Sequence, residues 1–97
     1  MVISDILDPE RVMFGVDAGS KKKVLEKMSE LLASAEEVPD TRSVFDNLCA
    51  RERLGSTGLG HGVAIPHCRM PTLKRAVGAM LKTNRAVDFD SPDGQPV

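Results

Sequence analysis

Apolar residues at Val24, Leu25, Met28, Leu31, Leu32 and Ala35 recur at the three- and four-residue spacing that lines one face of a helix. Ser20 stands in front of them as an N-cap, so the spacing predicts a helix over residues 20–35. The three lysines that open it, Lys21, Lys22 and Lys23, face the positive end of the helix dipole and read as a solvated helix start. A second stripe, Val44, Phe45, Leu48 and Cys49, follows Pro39, with Asp40 or Thr41 as its cap and Gly55 as its stop. Cys49 lies on the stripe and reads as a small core residue. Arg51 and Glu52 fall seven positions after Val44 and Phe45. Seven residues is nearly two helical turns, so both extend the inward face. An arginine there needs an acid, a carbonyl or a bound anion.

Strand signals surround these helices. Val12–Val16 is apolar and β-leaning, with Gly19 as a breaker, and Ile3–Leu7 reads as a single helical turn starting near Ser4. Val63-Ala64-Ile65 predicts a short strand that ends at Pro66. Ala76–Leu81 is apolar on both faces and predicts a central buried strand. Ala86–Phe89 predicts another short strand, and Ser91-Pro92-Asp93-Gly94 a turn. Such turns deliver the chain into a further strand, and this chain stops at Gln95-Pro96-Val97, so its ending reads as truncated.

Composition narrows the class. The chain has 97 residues, room for one domain, with 41% hydrophobic and 28% charged residues, an ordinary soluble balance. A net charge of −1 gives no field for nucleic acid, and a run of three lysines is short for a nucleic-acid or membrane patch. No apolar run approaches the ~18 residues of a membrane span, and nothing at the N-terminus resembles a signal peptide. Two cysteines, Cys49 and Cys68, are too few for a disulfide framework and read as reduced thiols in the cytoplasm.

The candidate chemistry lies between residues 51 and 68. Gly55-Ser56-Thr57-Gly58-Leu59-Gly60-His61-Gly62 precedes Val63-Ala64-Ile65-Pro66-His67-Cys68. A phosphate-binding P-loop fails here, because His61 and Gly62 stand where its lysine and hydroxyl must be. A dinucleotide fingerprint fails at Val63, which replaces the third glycine. The spacing of His61, His67 and Cys68 matches no common zinc motif, so no metal and no cofactor is expected. The loop reads either as a tight crossing from helix to strand or as a cradle in which backbone N–H groups and the Ser56 and Thr57 hydroxyls meet an anion. His67, at a strand end behind a proline, is a nucleophile aimed into that region. Imidazole is the side chain whose unperturbed pKa, ~6.5, suits a neutral nucleophile near pH 7. An inward arginine, a donor-rich loop and an exposed imidazole together suit phosphoryl transfer, where catalysis is mostly positioning and charge stabilisation.

The run Arg51-Glu52-Arg53-Leu54-Gly55-Ser56-Thr57-Gly58, continuing through Gly62-Val63-Ala64-Ile65-Pro66-His67, closely resembles the IIA component of the phosphoenolpyruvate-dependent phosphotransferase system, fructose/mannitol type. The Gly-Ser-Thr-Gly and Ala-Ile-Pro-His segments look most like its nitrogen-regulatory members. The resemblance extends over both predicted helices and Arg75-Ala76-Val77-Gly78. It implies an α/β fold with a mixed, parallel and antiparallel, β-sheet flanked by helices. It also implies a single IIA-type domain over residues 1–97, incomplete because family members continue through further strands and helices. That further part carries a second histidine beside the phosphorylated one. His61 does not occupy that position and reads as a variable loop residue. An exposed sheet edge or apolar helix face is then expected.

By the same resemblance, His67 accepts a phosphoryl group from an HPr-like phosphocarrier, Arg51 neutralises it, and Ser56, Thr57 and Gly58 form the phosphate loop. The expected function is a nitrogen-type regulatory phospho-relay in the cytoplasm. Its targets would be regulatory proteins such as potassium-transport or sensor-kinase systems, with no nucleic-acid partner and no membrane insertion. Two alternatives stand beside it: a sugar-specific IIA that passes phosphate to a IIB domain, and a binding module without phosphotransfer.

Overall fold

Ser20 and Asp40 open the two helices as their side chains predict. In the computed structural model, which describes residues 6–36, 38, 40–71, 73 and 76–97, Ser20 Oγ accepts from Lys23 N at 3.2 Å at the start of α1 (Lys21–Ala33). Asp40 accepts from Ser43 N at 2.6 Å at the start of α2 (Thr41–Leu54). Each replaces a partner that a helix start lacks. Val24, Leu25, Leu31, Val44 and Leu48 are buried, so the two stripes do face inward.

The chain runs β1 (Leu7–Val16), α1, α2, β2 (Gly58–Gly60), β3 (Val63–Ala64), β4 (Gly78–Thr83). β1 and β4 pair in parallel, and β2 and β3 pair antiparallel, as two separate ladders of two strands. Parallel pairing needs a long crossover, which the intervening helices provide. The fold is α/β with both kinds of pairing, flanked by two helices.

β1 starts earlier than its apolar run. Asp8-Pro9-Glu10 is polar, and Pro9 cannot donate to a ladder. The register shifts between Leu7 and Val12. Arg11 bridges the irregularity: buried at 8% exposure, it donates from Nε to Gly78 O at 2.9 Å and from Nη2 to Ile6 O at 3.3 Å. A side chain thus supplies the donors that the irregular backbone withholds. The helical turn expected over Ile3–Leu7 falls largely outside the described residues, and Leu7 itself belongs to β1. Arg75, quoted for the resemblance, also lies outside them.

Two expectations about strands are corrected. β4 is not buried on both faces: Met80 is 48% exposed, and among the described residues β4 pairs with β1 alone. Leu81 points the other way, onto the cluster of Val16, Ala18, Val24, Val87 and Phe89. Ala86–Phe89 forms no strand. Val87 instead exchanges two backbone hydrogen bonds with Val97, each 2.8 Å. The turn between them holds, with Gly94 N donating to Ser91 O at 2.9 Å. Its prolines have no N–H to lengthen the pairing.

A second cluster, Leu25, Ala35, Val38, Val44 and Leu48, joins the helices, with Cys49 and Cys68 packed at its margin. Burial pushes both thiols above their ordinary pKa. Large apolar side chains also stand exposed, among them Phe14 at 67% and Leu54 at 85%. Among the described residues no helix is long and apolar enough to cross a membrane.

Candidate functional site

The glycine-rich run is not one loop but a hairpin. His61 and Gly62 connect β2 to β3 with φ values of +56° and +75°. Two positive φ values in a two-residue connection make the mirror-image turn that suits strand twist, and glycine tolerates the second without cost. His61 N donates to Asp93 at 3.0 Å, which helps hold the Asp93 carboxyl below its usual range, after the larger effect of Gln95 N. His61 is thus a turn residue. A two-residue connection ending in Gly was the signal that could have revealed the hairpin.

Past β3 the chain stays extended. Ile65 N donates to Thr57 O at 2.9 Å and lengthens the pairing by one bond. Val63, Ile65 and His67 are exposed, whereas Ala64, Pro66 and Cys68 are half-buried. This alternation is that of a strand, and it carries His67 to the solvent face. Its Nδ1 lies 2.9 Å from Ile65 O. A carbonyl only accepts, so Nδ1 carries the proton, and in the neutral ring Nε2 keeps a free lone pair. The imidazole is therefore turned to offer Nε2 as its nucleophile. It borders an apolar groove of about 560 Å³ between the helices and the Val77–Met80 segment.

Arg51 sits in the last turn of α2, where a cation suits the helix dipole. Its Nη1 donates to Gly55 O at 2.8 Å, which satisfies the carbonyl partner its position demanded and leaves further guanidinium donors. Along the hairpin, Arg51 donates to Gly55 O, Thr57 O accepts from Ile65 N, and Ile65 O accepts from the His67 ring.

The donors of Ser56, Thr57 and Gly58 are committed within the protein. Ser56 Oγ donates to Phe89 O and accepts from Gly58 N at 3.0 Å. Thr57, 5% exposed, donates from N and Oγ1 to the Glu52 carboxylate at 2.9 and 2.6 Å. Lys21 Nζ completes that carboxylate at 2.7 Å and also reaches Phe89 O at 3.5 Å and Asp90 at 3.6 Å. It lies 5.2 Å above the Phe89 ring, within cation–π range. Burial by itself would raise the Glu52 pKa, but Lys21 and the two Thr57 donors outweigh it and hold the carboxyl below its ordinary value.

Lys21 is thus not a solvated member of the lysine run, although Lys22 and Lys23 are exposed as expected. Glu52 and Lys21 are residues to which the sequence assigned no role in the site. The inward position of Glu52 was a signal of burial. Nothing local to Lys21 announces its partner.

This fold belongs to a known class. The profile of the phosphoenolpyruvate-dependent sugar phosphotransferase system EIIA 2 family matches residues 5–97, and the chain belongs to that family. Within it, the chain is similar to the nitrogen regulatory protein of Pseudomonas aeruginosa, 46% identical over 95 residues, covering 98% of this chain and 62% of that protein. It is also similar to the nitrogen regulatory protein of Bradyrhizobium diazoefficiens, 42% identical over 99 residues, with 63% of that protein covered. The crystal structure of the nitrogen regulatory protein IIA-Ntr from Neisseria meningitidis superposes with a TM-score of 0.92 at 46% identity, over 98% of this chain and 64% of that one. The chain thus spans somewhat less than two thirds of the length of these relatives.

Proposed function

We propose that the chain is a regulatory phospho-relay in which His67 accepts a phosphoryl group from an HPr-like phosphocarrier. The observation that carries this reading is the state of the His67 ring: exposed, with its Nδ1 proton held by Ile65 O, which leaves Nε2 as the basic nitrogen. Nε2 attacks phosphorus in line with the bond to the donor. The P–Nε2 bond forms as the donor's bond breaks, and the electron pair of the broken bond leaves with the donor. Nδ1–H keeps its carbonyl throughout and stabilises the positive charge that attack places on the ring. Arg51 offers its remaining donors to the phosphoryl oxygens, in the manner of a charge clamp. Ser56, Thr57 and Gly58 serve as the frame of the hairpin that carries His67, since their donors are engaged within the protein.

The likeness to proteins named nitrogen regulatory proteins supports a regulatory outcome, in which the phosphorylation state selects the target proteins met by this surface. Potassium-transport and sensor-kinase systems are the proposed targets. Incubation with phosphoenolpyruvate and the purified upstream phosphocarriers should place acid-labile phosphate on the protein and none on His67→Ala. Labelling of His67→Ala at the wild-type level would reject His67 as acceptor.

A further inference from the structure

A line of hydrogen bonds, linked through the backbones of Thr57 and Ile65, runs from the buried Glu52 carboxylate to the His67 ring. Glu52, whose side chain is 6% exposed, receives the N–H and hydroxyl of Thr57 at 2.9 and 2.6 Å. Thr57 O receives Ile65 N–H at 2.9 Å. Ile65 O receives His67 Nδ1–H at 2.9 Å. We propose that Glu52 is a positioning residue for His67, acting through Thr57 and Ile65 to hold the imidazole in its Nδ1–H tautomer with Nε2 open. The inference deepens, and rests on, the reading of His67 as the phosphoryl acceptor.

Three features of the chain make this line stiff. The carboxylate grips Thr57 by two donors at once, which fixes both its backbone and its side chain. Lys21 holds the same carboxylate at 2.7 Å and reaches the Phe89–Asp90 segment, to which Ser56 also donates. Pro66 has a fixed φ and confines Ile65 to extended backbone, so little freedom remains between the Thr57 anchor and the ring. A charged acceptor strengthens the first link, at Thr57, and the rest of the line acts through backbone position. An exposed imidazole touching a carbonyl only two residues away would otherwise exchange that contact for water.

The test reads the ring directly. Long-range ¹H–¹⁵N correlation spectra of uniformly ¹⁵N-labelled protein, recorded well above the imidazole titration, report the tautomer of each histidine. Wild type should show His67 mainly as Nδ1–H. In Glu52→Gln and in Thr57→Val the Nε2–H form should gain by about threefold, the change that loss of a modest net hydrogen-bond preference brings. Thr57→Ser, which keeps the hydroxyl, should retain the wild-type distribution, and His61, whose turn is tied to Asp93, should be unmoved in every variant. A wild-type ring already dominated by Nε2–H would overturn the proposal. So would an unchanged His67 tautomer in folded Glu52→Gln and Thr57→Val; if Glu52→Gln does not fold, Thr57→Val decides alone. The measurement uses unphosphorylated protein, so its failure is distinct from a failure of His67 to accept phosphate.

Discussion

A carboxylate with three donors around it and almost no water keeps its contacts only while it is ionised. Glu52 is such a group, and its pKa is held below the ordinary value. A depressed native pKa means that the stabilisation is fully present above the unfolded value of about 4.3 and is lost as pH falls through the lower native one. Acid should therefore weaken wild type more steeply below about pH 4 than it weakens Glu52→Gln, which has no proton to take up there. At neutral pH the same variant should be less stable by about 2 kcal/mol, because Lys21 and Thr57 lose a charged acceptor. Urea midpoints measured across the acid range check both statements, and parallel pH profiles for the two proteins would refute the linkage. At this scale the sequence was informative in part. Its inward stripe put Glu52 inside, and a buried acid implies partners. Their identities follow from packing: Thr57 is near in the chain, but Lys21 opens a different helix.

Two of the glycines in the β2–β3 hairpin matter for different reasons. Gly62 has φ +75° and open space around the position a Cβ would take. Alanine there should cost about 1 kcal/mol from backbone strain alone. Gly58 has no such φ, but a Cβ on it would collide with Ser91 Oγ and lie 3.1 Å from Ser91 Cα. Gly58→Ala should therefore cost more, about 1–3 kcal/mol, because the Ser91 backbone must move. Thermal unfolding of the two variants checks the order, and Gly62→Ala as the more damaging change would contradict it. The elements themselves were unequally legible. Both helices were predicted within a few residues, since caps and apolar spacing are local. The hairpin was missed because glycine and histidine carry no β pattern. The first half of β1 was missed because Asp8-Pro9-Glu10 reads as a breaker until Arg11 supplies its donors.

Phe89 ties the molecule together. It is 1% exposed in the cluster with Val16, Ala18, Val24 and Val87. Its carbonyl receives Ser56 and Lys21, so one residue carries both a core and the frame of the candidate site. Phe89→Ala should cost about 3–5 kcal/mol, a large fraction of the 5–15 kcal/mol available to a small domain. A chemical denaturation curve checks this, and a loss under about 1 kcal/mol would show that Phe89 is not central. Family membership, the two helices, their inward faces and the identities of His67 and Arg51 as candidates were all readable along the chain, because each rests on residues close together in sequence. Tertiary structure alone decided which strands pair, that Arg11 mends a broken ladder, that Lys21 leaves the solvated run for Glu52, and that the loop's donors are spent on its own frame. Those outcomes turn on groups far apart in the chain, whose meeting depends on how buried faces pack and on the need to satisfy every polar group that packing removes from water.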